Sequence, residues 1–234
     1  MIDKQYILTI IHNYIAAQMK CSVAEIKSGN RVFINDESKS ERYVKILSIG
    51  DTDIVTASSD LYPKLIECMS SITRDELYES NYVMGQTIHY IPDLNQIQEL
   101  PFTEEFSFEL LVGDEVNKLR GIEGFENSLA FDEKGYTPTC IVLYAKAGDE
   151  IIGLAGASYE NDDLREVGVD VKKEYRGKGL ASLLVRNLTA EILKQDKVPF
   201  YSASVTNIAS QAVASRSGYM PLWTDTFSVR NISE

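Results

Sequence analysis

The stretch that most restricts the fold is Leu164–Lys194, LREVGVDVKKEYRGKGLASLLVRNLTAEILK. In its first third, Val167, Val169 and Val171 alternate with polar or small residues, the period of a strand. In its last third, Leu180, Leu184, Leu188 and Ile192 recur every fourth residue with Leu183 beside them, one apolar stripe of a helix. The two are joined by a turn with glycines at 177 and 179, and five of the seven residues Lys172–Lys178 are charged, four of them basic. A strand that passes through a glycine turn into a helix aims the turn's N–H groups and the positive end of the helix dipole at one spot. Glycines let the backbone approach a ligand without Cβ atoms in the way. Arg176 and Lys178 add positive charge. The turn therefore predicts a phosphate or pyrophosphate site.

The two common phosphate-loop patterns fit poorly. GKGLAS follows a dinucleotide fingerprint only loosely, with Ser182 in its sixth position, and the next strand, FYSASVT, lacks the acidic residue such a unit carries. The Gly-Lys-Ser/Thr ending of a nucleotide-triphosphate loop is absent. The preceding elements also argue against both. Cys140–Ala147 and Glu150–Ser158 read as strands joined at Gly148-Asp149, a hairpin signal. Asn161–Asp163 is a second turn, so three antiparallel strands arrive in a row. Upstream, Phe106–Val112 reads as a strand and Asp114–Arg120 as a short helix. Downstream, Pro199 ends the long helix, Phe200–Thr206 is extended, Asn207 can cap a helix over Ile208–Arg216 that Gly218 ends, and Tyr219–Val229 is extended.

The first 100 residues predict a separate small α+β region. Ile7, Ile11, Tyr14, Ile15 and Gln18 form the stripe of a first helix. Three short strands follow at Arg31–Asn35, Arg42–Ile49 and Asp53–Ala57. Ser59 or Asp60 can cap a helix over Leu61–Ser71, and Thr73 another reaching about Glu79. A linker is expected next, bounded by Pro92 and Pro101. His12 and His89, the only histidines, read as structural.

A net charge of −12 argues against a nucleic-acid binder or a protein held on an anionic membrane. No apolar run is long enough to span a bilayer. Cys21, Cys68 and Cys140 are odd in number and lack CxxC spacing, so neither zinc nor a disulfide framework is expected, and a cytoplasmic protein with reduced thiols is.

Arg176-Gly177-Lys178-Gly179-Leu180-Ala181 resembles the Arg/Gln-x-x-Gly-x-Gly/Ala signature of the GNAT superfamily of N-acetyltransferases. GVDVKKEYRGKG resembles that family's fourth strand and pyrophosphate loop, and SVTNIASQAVASRSGY its next strand and helix. The resemblance covers residues 106–230. More softly, the whole chain resembles bacterial members with an extra N-terminal region. It implies a mixed α/β (α+β) fold with a mostly antiparallel central sheet flanked by helices, organised as an N-terminal region at 1–100 and an acetyltransferase domain at 101–234. It implies acetyl-CoA or another acyl-CoA as co-substrate and no metal. The pyrophosphate is expected on the amides of Gly177, Lys178, Gly179, Leu180, Ala181 and Ser182, with Arg176 auxiliary. The pantetheine arm is expected along Val169 and Val171, with Asn207 and Ser210 beside it.

Acyl transfer to an amine needs a polarised carbonyl, a base and a proton for the leaving thiolate. Glu166 and Asp170 lie four apart on one strand, hence on one face, and are the base candidates. Both could equally be solvated or paired with Arg165 or Lys172. The family's usual tyrosine acid falls at Ala214 here, which leaves Tyr201, Tyr219, Ser210 or water. Two functions stay open: an N-acetyltransferase acting on a small-molecule or peptide amine, and a catalytically silent CoA-binding module. Residues 1–100 could shape an acceptor pocket, form a homodimer or complete a core.

Overall fold

The computed structural model describes residues 2–228, so the end of the expected last strand, at Val229, lies outside them. The chain divides into two compact units, neither of them a single stretch of sequence. One comprises Leu8–His89 with Ala203–Asn207 and the chain from Pro221 on; the other comprises residues 2–7, Tyr90–Ser202 and Ile208–Met220.

The first eight elements are α1 (Lys4–Met19), α2 (Val23–Ile26), β1 (Arg31–Asn35), β2 (Val44–Ile49), β3 (Thr52–Ala57), α3 (Tyr62–Met69), α4 (Arg74–Tyr78) and β4 (Val83–Pro92). On α1, Ile7, Ile11 and Ile15 are buried as the spacing predicts, and Met19 continues the stripe. β2 and β3 pair as a hairpin through Gly50, and β1 lies parallel beside β3. Val44, Ile46 and Val55 pack against Leu65 and Met69 of α3 and Leu77 of α4. Thr73 caps α4 through a reciprocal bond with Glu76, as expected. The cap expected for α3 does not form: its N-cap is Leu61, without a side-chain bond, and Asp60 instead accepts from the Ser58 hydroxyl at 2.6 Å. No element is expected from sequence between Glu79 and Pro92, where β4 forms; the expected linker begins at the last residue of β4, and residues 93–101 hold neither helix nor strand. Gly85, at a φ of 64°, and the polar run that follows it break the alternation that would have marked the strand.

Two of this unit's buried carboxylates, Asp53 and Asp225, have cationic partners. Asp53 accepts from Arg31 at 3.1 Å, Arg74 at 2.6 Å and Ser48 at 2.7 Å. Asp225 meets Lys45 at 2.7 Å and His89 at 3.0 Å, and the His89 ring stacks on Trp223 at 4.5 Å. His89 is thus a structural residue, as expected.

The remaining elements are β5 (Ser107–Val112), a 3-10 helix at Gly113–Leu119, β6 (Thr139–Ala147), β7 (Glu150–Tyr159), β8 (Leu164–Val171), α5 (Leu180–Lys194), β9 (Val198–Ser204), α6 (Ile208–Arg216) and β10 (Tyr219–Ser228). β5 to β8 form an antiparallel meander, and β9 joins β8 in parallel. The apolar stripe of α5, Leu180, Leu184, Leu188 and Ile192, is buried. A Cβ on Gly153 of β7 would touch Leu180, Leu184 and Val171, so α5 packs on the face that carries the odd-numbered residues of β8. The opposite face is covered by a second core of Leu111, Val116, Leu119, Phe125, Leu129, Val142, Tyr144 and Leu154.

Candidate active site

β8 organises the site. Its pairing with β9 runs from Leu164↔Val198 to Val167↔Tyr201 and then stops, although β8 continues to Val171. The strands therefore part, leaving a fork whose vertex is Val167 and Tyr201. On the other edge, the Lys172 amide donates to the Ile152 carbonyl at 2.9 Å, which extends the β7–β8 ladder by one pair. Hydrogen-bonding direction alternates along an antiparallel strand, so the even-numbered residues of β8 bond to β7. The N–H and C=O groups of Val169 and Val171 then face the fork, where an extended ligand can pair with them. The Val171 carbonyl already accepts from Arg176 Nε at 2.7 Å.

At the open end of the fork the chain makes a short 3-10 turn, Lys173–Tyr175, and then the glycine turn. Gly177 and Gly179 have φ of 79° and 85°, a region that strains any residue with a Cβ, and a Cβ at either would meet open space. Gly179 is the N-cap of α5 and supplies no side-chain cap. The backbone N–H groups of Gly177, Lys178, Gly179, Leu180, Ala181 and Ser182 consequently have no acceptor among the described residues. Six unpartnered donors at the positive end of a fifteen-residue helix form an anion cradle. The donor set fits a pyrophosphate, and the fork fits the extended arm of an acyl-CoA.

Beside the cradle lies a cleft of about 140 Å³, lined by Thr103, Glu105, Phe106, Tyr175, Lys178 and Leu183 among others. Three of these come from the segment just before β5: Thr103 and Glu105 lie past the expected limit of the linker at Pro101, and Phe106, expected to open the strand, precedes it by one residue. The buried amide of Asn187 holds that segment along α5: its Oδ1 accepts from the Leu100 N–H at 2.8 Å and its Nδ2 donates to the Leu100 carbonyl at 3.0 Å. Phe106 then meets Tyr175 edge to face at 5.9 Å.

Glu166 and Asp170 do share a face, the one opposite α5, and their situations differ. Asp170 accepts four hydrogen bonds: from Asn127 N at 2.9 Å, Asn127 Nδ2 at 2.6 Å, Ser128 N at 2.9 Å and Ser128 Oγ at 2.7 Å. Glu166 makes no side-chain hydrogen bond or ion pair among the described residues. Neither carboxylate pairs with the basic neighbours considered for it. Arg165 donates to the Asn161 and Leu164 carbonyls, and Lys172 to Glu150.

The turn that Asp170 holds rests on two glycines. Gly156 and Gly168 face each other across β7 and β8. A Cβ on Gly156 would fall 1.9 Å from the Ser128 carbonyl oxygen, and one on Gly168 would fall 2.0 Å from that of Asn127. Sequence reasoning missed this seat. Its signal was a pair of glycines inside two strand patterns, which marks close approach of another backbone.

The candidate acids separate as well. Tyr219 is fully buried and its hydroxyl lies 2.7 Å from that of Thr189, so it is a packing residue whose burial pushes its pKa up. Tyr201, at the fork vertex, lies 2.9 Å from the Ser210 hydroxyl. Burial raises its pKa, the Ser210 bond offsets part of this, and the Asp170 charge adds to it. Ala214 is buried in α6. Asn207 immediately precedes α6, and its N–H donates to the Ser204 carbonyl at 2.9 Å. No group of three histidine, cysteine or acidic side chains among the described residues could hold a metal ion, and no described helix is long and apolar enough to cross a membrane.

A strand forked from its parallel neighbour and leading into a helix N-terminus with free backbone donors is an arrangement that fits an acyltransferase fold. The sequence model of the Acetyltransferase (GNAT) family matches residues 94–219, more than half of the chain, and the chain belongs to that family. No functionally curated protein matches it in sequence. Among solved structures it is similar to a GCN5-related N-acetyltransferase-like protein from Streptococcus suis 89/1591, at 16% identity over 83% of this chain and 86% of that one, with a TM-score of 0.50. It is also similar to a GNAT-family protein from Novosphingobium aromaticivorans DSM 12444, at 18% identity over 63% of this chain and just under two thirds (66%) of that one, with a TM-score of 0.48. The mixed α/β architecture with a mostly antiparallel sheet flanked by helices is that of this family.

Proposed function

We propose that this acyltransferase moves an acetyl group from acetyl-CoA to a primary amine of a small molecule or peptide, directly, within a ternary complex. The observation that carries the reading is the set of six unpartnered N–H groups from Gly177 to Ser182 at the end of a fork whose Val169 and Val171 backbones face inward. In this reading the pyrophosphate lies on the cradle with Arg176 and Lys178 nearby, and the pantetheine lies along Val169 and Val171 with Ser210 beside it; the family resemblance adds Asn207 as a further contact. The amine nitrogen attacks the thioester carbonyl carbon, the C–N bond forms, and the C–S bond breaks. Glu166, the carboxylate left without a partner, takes the proton from the attacking nitrogen, directly or through water. The thiolate takes a proton from the Tyr201–Ser210 hydroxyl pair at the fork vertex. Three unpaired thiols suit a cytoplasmic location.

A second reading rests on Ala214. The family's usual acid is missing there, which favours a CoA-binding module without turnover. Release of free thiol from acetyl-CoA, measured with polyamines, aminoglycosides, amino acids and lysine peptides, decides between the two. Turnover with any of these supports the transferase. CoA binding with no thiol release from the whole panel supports the silent module.

A further inference from the structure

We infer that Asp170 is a positioning residue: it fixes the turn at residues 125–129 over the Gly156–Gly168 seat, and that turn walls the acceptor side of β8 next to Glu166. The inference rests on the acetyltransferase reading for the word acceptor; the positioning itself does not depend on it.

Two independent features place the turn. From below, the paired glycines admit the Asn127 and Ser128 carbonyls at distances no side chain would allow. From the side, the Asp170 carboxylate spends both oxygens on four donors of Asn127 and Ser128. The turn is closed on itself by Ser128 N and Leu129 N, which donate to the Phe125 carbonyl at 3.1 and 2.8 Å. Phe125 and Leu129 anchor its ends in the core. Oδ2 accepts three of these bonds and Oδ1 the fourth, so both oxygens are engaged in holding the turn. Glu166 lies two residues from Gly168 on the same face, about 6.6 Å along the strand. The turn seated over Gly168 thus stands on the same face beside Glu166 and would limit the approach of an amine from that side.

The test compares Asp170→Asn with Asp170→Ala in the full-length protein, in three measurements. The first is amide hydrogen exchange at Asn127, whose N–H has Asp170 as its one acceptor among the described residues. Exchange should speed up roughly 10- to 100-fold in the alanine variant and less in the asparagine variant, which keeps an acceptor oxygen. The second is acetyl-CoA affinity by calorimetry, which should stay within about twofold in both, since the donor side is untouched. The third is acetyl transfer to a polyamine, an aminoglycoside and a lysine peptide across pH. Asparagine should recover most of the kcat/KM that alanine loses, with the loss mainly in KM and the acid limb of the pH profile unmoved. A base could not be replaced by asparagine. Equal loss in both variants, a vanished acid limb, or unchanged Asn127 exchange in the alanine variant would each overturn the inference. If the wild type transfers to no acceptor, the acetyltransferase reading fails, while the exchange measurement still decides whether Asp170 holds the turn.

Discussion

Gly168→Ala tests the glycine seat most directly. The new Cβ would lie 2.0 Å from the Asn127 carbonyl oxygen and 2.9 Å from its carbon, against about 3.4 Å for an ordinary contact. Both near atoms are backbone, so no side-chain rotation relieves the overlap. The turn must lift by more than an ångström, and its bonds to Asp170, now 2.6–2.9 Å, then open beyond hydrogen-bonding range. Overpacking costs about 1–3 kcal/mol. Lost hydrogen bonds to a charged acceptor add about 1.5–3 kcal/mol each before water replaces them, and Asn127 is exposed enough for water to do so. A total of about 3 kcal/mol is expected, against about 2 kcal/mol for Asp170→Ala alone. Once alanine has lifted the turn, removing Asp170 has little left to break. The double variant should therefore cost about 3–4 kcal/mol, well short of the additive value. Urea unfolding of the four proteins, with m-values checked for constancy, measures this. Additivity within about 0.5 kcal/mol, or a Gly168→Ala variant as stable as the wild type, would refute the seat.

Three further outcomes are expected. Gly179→Asp puts a carboxylate where the cradle's donors converge and should weaken CoA binding at least about 100-fold by calorimetry, while Arg176→Ala should weaken it less; unchanged affinity in Gly179→Asp would remove the cradle from the cofactor site. Tyr201→Phe should lower kcat by about 10- to 100-fold and leave CoA affinity intact, and an unchanged kcat would return the thiolate's proton to water. Burial works against the charge on Asp225, but the bonds and charges of His89 and Lys45 prevail and hold its pKa below the usual value. That stability is therefore present above the unfolded-state pKa of about 4 and is lost as pH falls through the lower folded value. Asp225→Asn should flatten the acid side of the stability–pH curve and cost about 2–4 kcal/mol at neutral pH, read from chemical unfolding at a series of pH values.

The parts of the fold legible in sequence were those with one dominant period. The apolar run of β7, the alternating valines of β8, the fourfold stripe of α5 and the Gly148 turn lie where the residues predict them: β7 is buried on both faces, and α5 buries the one face its stripe marks. β4 escaped because Gly85 and a polar run interrupt its period, and its last residue, Pro92, marked the start of the expected linker. The short helix expected over Asp114–Arg120 forms at Gly113–Leu119 with 3-10 geometry; seven residues opened by a positive-φ glycine and holding only Val116 and Leu119 in the core give no α-helical stripe. The anion cradle was legible because backbone donors at a glycine turn follow from local sequence alone. The difference between Glu166 and Asp170 was not, since it depends on a turn more than forty residues upstream and on which face of β8 that turn covers.

β8 carries three demands at once, and strand geometry keeps them apart. Its odd-numbered side chains Val167, Val169 and Val171 are apolar and lie on the face toward α5, which fixes the helix whose N-terminus makes the cradle. The backbone of those same odd residues faces the fork, because hydrogen-bonding direction alternates with the same period as the side chains. The even-numbered positions face the other way and hold Glu166, Gly168 and Asp170: a carboxylate without partners, a seat without a side chain, and a carboxylate committed to the turn above that seat. A one-residue slip in the β7–β8 register would exchange all three assignments together. Two features fix the register against such a slip. Gly156 opposite Gly168 is the pairing that admits the 125–129 turn, and Gly153 opposite Val171 is the pairing that leaves room for Leu180 and Leu184. The glycines of β7, which bear no chemistry of their own, thereby decide on which side of the strand each chemical group stands.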